Sequence, residues 1–131
     1  MKASVLVVDD DIKYLALVGK SLKRGGFEVL TASDGADVPE LLARRSVDVV
    51  VMDLQMPGMN GWELLRNLGR PAGAATPTPP GGGGRPKIVV VSGRDEDETA
   101  AFVRRLGADA YLTKPCWGSQ ILATVRGVLE G

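Results

Sequence analysis

Residues 47–65 read VDVVVMDLQMPGMNGWELL, and the fold follows from this stretch. Val47–Met52 is a strand-length, mostly β-branched apolar run. A continuous apolar run such as Val49–Met52 within it implies burial on both faces, as in a parallel sheet. Asp53 falls at its carboxyl end, and Pro57-Gly58 makes a turn. Asn60-x-x-Glu63 then opens a helix through Leu64, Leu65 and Leu68. The stretch is therefore one β/α unit with an acid at its hinge.

Working outward, the same unit recurs. Strands are expected at Val5–Val8, Phe27–Thr31, Ile88–Val91 and Ala110–Thr113. Between them, Ile12–Lys23 puts Leu15, Val18 and Leu22 on one helical stripe, stopped by Gly25-Gly26. Asp37-x-x-Glu40 reads as a capping box with Pro39 in the first turn. Asp95-x-x-Glu98 opens a helix through Phe102, Val103 and Leu106 that Gly107 closes, and Ser119–Leu129 forms the last helix. Five β/α units in strict alternation predict an α/β fold: a flavodoxin-like, doubly wound, five-stranded parallel sheet in the order 2-1-3-4-5, with helices on both faces. The ligand crevice of such a sheet lies at the carboxyl ends of strands 1 and 3. The 131 residues suit a single domain spanning 1–131. Within it, 71–86 (PAGAATPTPPGGGGRP) reads as a flexible insertion between helix 3 and strand 4, with too little apolar surface to order itself.

Composition narrows the chemistry. Sixteen basic and sixteen acidic residues cancel, which leaves no electrostatic footprint for nucleic acid or an anionic membrane. No apolar run approaches the length of a membrane span. The single cysteine, Cys116, can form no internal disulfide, in keeping with a reducing cytoplasm. There is no histidine, so Ser-His-Asp hydrolysis, His-ligated zinc and a phosphohistidine on this chain are excluded.

Acids and their partners gather at strand ends. Strand 1 ends in Asp9-Asp10-Asp11, and strand 3 in Asp53. Asp11 is a natural helix cap, which leaves Asp9, Asp10 and Asp53 to converge at the switch point. Like charges near 4 Å at an effective dielectric of 20 repel by about 4 kcal/mol per pair. A cation must offset this, and oxygen-only ligands favour Mg²⁺ over zinc. Strand 4 ends in Ser92-Gly93 and strand 5 in Lys114-Pro115. Taken singly these are a turn serine and a surface lysine. Together they supply nucleophile, metal site, hydroxyl and cation for phosphoryl transfer to a carboxylate.

The stretches VLVVDDD (5–11), VVVMDLQMPGMNGWELL (49–65), IVVVSG (88–93) and LGADAYLTKP (106–115) resemble the receiver (CheY-like) domain of bacterial two-component response regulators. The resemblance implies a signal-transduction switch rather than a free-standing enzyme, one that assists its own phosphorylation and dephosphorylation. Asp53 would be the phosphoacceptor. Asp10, Asp53 and the backbone carbonyl of Gln55 would bind Mg²⁺, with Asp9 acting through water. Lys114 would pair with Asp53 and then with a phosphoryl oxygen, across a cis Lys114-Pro115 bond. Ser92 and Tyr111 would form the switch, and Gln55 and Arg94 would tune the reset. The phosphoryl donor would be a sensor histidine kinase or a His-phosphotransfer protein. Output would pass through helix 4, strand 5 and helix 5, with no direct nucleic-acid or membrane contact.

Cys116, Trp117, Gly118, Pro39 and the 71–86 segment depart from the common pattern. Trp117 is either a partner anchor or a lid on its own helix. Two other readings remain: a phosphatase of the haloacid-dehalogenase type, and a phosphorylation-independent interaction module on the same fold. The first needs an acid two residues after the nucleophile, where this chain has Gln55. The second does not account for the complete set of acids, hydroxyl and lysine.

Overall fold

The computed structural model describes residues 2–56, 59–68, 86–93 and 97–130. The central sheet contains β1 (Ser4–Val8), β2 (Glu28–Ala32), β3 (Val49–Met52), β4 (Lys87–Ser92) and β5 (Ala110–Thr113). Its order is β2-β1-β3-β4-β5 and every pairing is parallel. That is the order the alternation of units predicts. Among the described residues, five α-helices connect and flank the strands: α1 (Ile12–Arg24), α2 (Val38–Arg44), α3 (Gly61–Leu68), α4 (Asp97–Arg105) and α5 (Gly118–Glu130). A two-residue antiparallel ladder joins Gln55–Met56 to Met59–Asn60 between β3 and α3.

Strand residues alternate between two cores, as a pleated backbone requires. Leu6, Val8, Val50, Met52, Ile88 and Val90 pack with Val38 of α2, Leu64 and Leu65 of α3 and Val103 of α4. Val5, Val7, Val49, Val51, Val89 and Val91 pack with Leu15, Val18 and Leu22 of α1 and Ile121 and Val125 of α5. Helices thus cover both faces, and β1, β3 and β4 are buried almost throughout. Each fully buried Val or Leu contributes about 1.5–3 kcal/mol. Two filled layers therefore explain why a single apolar run can serve both sides.

Several boundaries differ from the sequence reading, each for a local reason. β2 starts at Glu28 because the Phe27 amide donates to Leu22 O, closing α1 behind Gly26 at φ 95°. Val47 stays in the core at 4% exposure, but β3 pairs only from Val49. The capping box at Asp37 does not form. Asp34 instead caps a 3-10 turn, Gly35–Asp37, by accepting from Ala36 N at 2.9 Å. Asp37 is then already helical (φ −81°, ψ −14°) and makes no side-chain cap bond to α2. In α4 Val103 is buried, whereas Phe102 is 48% exposed. Residues 57–58, 69–85 and 94–96 lie outside the described residues. They include the Pro57-Gly58 turn, nearly all of the 71–86 segment, Asp95 and Arg94.

Candidate functional site

Topology positions the site. The chain leaves β1 toward β2 on one side and returns to β3 on the other, which opens a crevice at the carboxyl ends of β1 and β3. Asp9 and Asp53 each follow the last residue of one of these strands. Asp53 N donates to Val8 O at 3.2 Å and Asp9 N to Ala32 O at 3.1 Å, so both backbones continue the ladder. Asp9 is 2% exposed and Asp53 is 7% exposed. Asp10 lies on the exposed side. One carboxylate oxygen from each of Asp9, Asp10 and Asp53 lies within 4.8 Å of the others.

β5 supplies the cation. Lys114 N donates to Ser92 O at 2.8 Å, which ties the end of β5 to the end of β4. Its Nζ lies 2.8 Å from Asp9 Oδ2 and 2.9 Å from Asp53 Oδ2. Desolvation of the ammonium opposes protonation, but the hydrogen bonds to Asp9 and Asp53 and their charges outweigh it, and the lysine pKa lies above its ordinary value. At Asp10, desolvation, the hydrogen bond with Asp9 and the like charges of Asp9 and Asp53 raise the carboxyl pKa, against a backbone hydrogen bond that lowers it. The Lys114-Pro115 bond is cis, as expected.

Asp11 caps α1, accepting from Lys13 N at 3.0 Å and Tyr14 N at 3.2 Å. Its own amide donates to Asp9 Oδ1 at 2.9 Å. Gly61 is required where α3 begins, because a β-carbon there would fall on the carbonyl oxygen of Leu54, next to Asp53. Ser92 is fully buried at the end of β4, with Thr113 as its register partner. Tyr111 sits two residues earlier on β5 and packs half-buried against the core on the α2–α4 side. Gln55 starts the short ladder two residues after Asp53. Arg94 lies outside the described residues. Trp117 is 60% exposed, so its ring is not folded away over α5.

Two features went unforeseen. Lys114 bridges Asp9 as well as Asp53, and Tyr14 joins the site. The Lys114 ammonium lies 4.7 Å from the centroid of the Tyr14 ring. Tyr14 Oη donates to Cys116 O at 3.1 Å and lies 3.3 Å from Cys116 Sγ. Burial, that thiol contact and the nearby negative charges raise the phenol pKa and keep it neutral. The available signal was position: Tyr14 stands on the first turn of α1, three residues after Asp11, on the crevice side of the helix.

A doubly wound sheet with two buried carboxylates and an exposed one clustered beside a lysine defines a phosphoacceptor-type switch. Residues 5–126 match the family of response regulator receiver domains, and the chain belongs to that family. It is 33% identical to protein PilH of Pseudomonas aeruginosa over 98% of this chain and 99% of PilH. It is 30% identical to the alkaline phosphatase synthesis transcriptional regulatory protein PhoP of Bacillus subtilis, covering 99% of this chain but 50% of PhoP. A receiver domain protein (CheY-like) from Methanospirillum hungatei superposes with a TM-score of 0.81 at 26% identity, over 99% of this chain and 95% of that one. The protein is thus a two-component receiver, a regulatory phosphoacceptor switch, and this membership decides against the haloacid-dehalogenase reading. Receiver domains of this family work with histidine kinases or phosphotransfer proteins. Among the described residues no helix is long and apolar enough to cross a membrane.

Proposed function

We propose that Asp53 accepts a phosphoryl group from a phosphohistidine on a sensor kinase or phosphotransfer partner. The observation that carries this reading is the Asp53 carboxylate itself. It is buried at the end of β3, paired with Lys114 at 2.9 Å and clustered with Asp9 and Asp10. In the transfer, an Asp53 oxygen attacks phosphorus, the P–N bond breaks, and the imidazole leaves with that electron pair and takes up a proton. In the reset, water attacks phosphorus, the bond between phosphorus and the Asp53 oxygen breaks, and inorganic phosphate leaves as the carboxylate is restored.

The donor set fits a hard divalent cation, because it offers three carboxylates within 4.8 Å and no imidazole or thiolate. Asp10, Asp53 and the Gln55 carbonyl would hold Mg²⁺, with Asp9 acting through water. Mg²⁺ would supply positive charge against the phosphoryl oxygens. Lys114 orients Asp53 before transfer and a phosphoryl oxygen after it. Ser92 then donates its hydroxyl to another oxygen, and Tyr111 turns inward as the serine moves. Gln55 and Arg94 tune the lifetime of the acyl phosphate.

The change in charge reaches a partner through the surface of α4, β5 and α5, in a cytoplasmic signalling pathway and without direct nucleic-acid contact. Residues 1–131 act as one domain, with 71–86 as an insertion. The test is labelling by acetyl phosphate. Wild-type protein should be labelled with Mg²⁺ and not with chelator, while Asp53→Asn should fold and remain unlabelled. Stoichiometric Mg²⁺-dependent labelling of Asp53→Asn would overturn the assignment.

A further inference from the structure

The proposed transfer poses a problem for Lys114. In the resting site its ammonium donates to Asp9 Oδ2 and Asp53 Oδ2 at once. Phosphorylation needs it at Asp53, whereas Asp9 must be available to other ligands. An ammonium released from Asp9 would be drawn toward solvent, since the side chain is already 26% exposed. Beside it stands Tyr14. The ring lies 4.7 Å from Nζ, within the range at which an aromatic face attracts a cation.

Tyr14 also holds the loop that carries the lysine. Its hydroxyl donates to Cys116 O, two residues past Lys114, while Lys114 N is fixed to Ser92 O. Tyr14 is itself placed by the acidic cluster: Asp9 Oδ1 accepts from Asp11 N, and Asp11 Oδ1 accepts from Tyr14 N. The contacts close a ring from Asp9 through Asp11, Tyr14 and Lys114 back to Asp9. A tyrosine placed only to fill the core would need neither the ammonium nor the Cys116 carbonyl.

We propose that Tyr14 is a positioning residue for Lys114: its ring keeps the ammonium within reach of Asp53 once the Asp9 contact is given up, and its hydroxyl fixes the loop that presents it. This inference rests on the reading of Asp53 as phosphoacceptor, but part of its test does not. In metal-free protein, NMR should show the Lys114 methylene protons next to Nζ shifted upfield by the ring. Tyr14→Phe should keep that shift and Tyr14→Leu should lose it, with Tyr14→Met as a second ring-free variant should the leucine protein not fold.

In labelling by acetyl phosphate with Mg²⁺, Tyr14→Leu should slow the initial rate by about fivefold, the size of a partly shielded cation–ring contact. Tyr14→Phe should fall between Tyr14→Leu and wild type. In a Lys114→Ala background, Tyr14→Leu should add nothing, because its effect acts through the lysine. Unshifted lysine protons in wild type would overturn the inference. So would an equal rate loss in both backgrounds, which marks a merely structural role, or a Tyr14→Phe protein that behaves like Tyr14→Leu. Should wild type itself resist labelling, the Asp53 assignment fails, and the NMR arm still decides the position of the lysine.

Discussion

Replacing Lys114 by Met removes the cation that reaches Asp9 and Asp53 and leaves a side chain of similar length. The two contacts, at 2.8 and 2.9 Å, each amount to about 6 kcal/mol of gross attraction at an effective dielectric of 20. Desolvation of the three charges cancels most of this. Removing one partner of a buried pair typically costs about 3–5 kcal/mol, because the charge left behind has no compensation. Both carboxylates are buried, with side-chain exposures of 3% and 9%, but Lys114 retains 26%. The discounted expectation is a loss of about 2–3 kcal/mol, which a domain of ordinary stability survives. In urea with chelator, the unfolding midpoint should fall by about 1–1.5 M at an unchanged slope. Saturating Mg²⁺ should then stabilise the variant at least as much as wild type, because no ammonium competes for the same oxygens. A variant as stable as wild type in chelator would refute the view that Lys114 neutralises the cluster. A smaller Mg²⁺ effect in the variant would refute the competition.

Ser92→Ala should still be labelled but fail to shift the amide NMR resonances of β5 and α5 that wild type shows with beryllium fluoride and Mg²⁺; wild-type-like shifts there would remove the serine from the switch. Gly61→Ala should lower the thermal midpoint by several degrees and weaken Asp53 labelling, since its methyl group meets the Leu54 backbone rather than a yielding side chain. Gly127→Ala, where a β-carbon meets nothing within 4 Å, should be neutral or mildly stabilising in the same melt, as alanine suits a helix better than glycine. Replacing residues 72–84 with a short turn should leave labelling intact. β4 is entered at Lys87, which pairs with Val49 at the end of the sheet away from Asp53; folded but unlabelled protein would show that this segment reaches the site.

The acids of this site were legible in the sequence and their cation was legible only in part, for physical reasons. A residue just past a buried parallel strand must emerge at the carboxyl edge of the sheet. Once Val5–Val8 and Val47–Met52 are read as strands 1 and 3, the convergence of Asp9, Asp10 and Asp53 follows from strand order alone. The same logic placed Ser92 and Lys114 at the edge, because β4 and β5 are equally regular. Where Nζ ends up is a different kind of fact. It depends on the path of the loop after β5 and on what stands across the crevice, and no periodicity encodes either. The pairing with Asp9 and the ring of Tyr14 are therefore properties of the folded chain that no sequence pattern carries. The cap of α2 failed in a similar way. Asp34 and Asp37 stand one turn apart with the same capping chemistry, and the spacing rule favours Asp37 because Glu40 follows three residues later. The 3-10 turn at Gly35–Asp37 overrides the rule, because it brings Asp37 into helical geometry and hands the cap to Asp34. Side chains fixed by repeating backbone geometry can be read from pattern, whereas those fixed by one loop or one turn must be located. By that criterion Tyr14, which depends on the Asp11 cap and on the Cys116 carbonyl, belongs to the second group even though it stands on a regular helix.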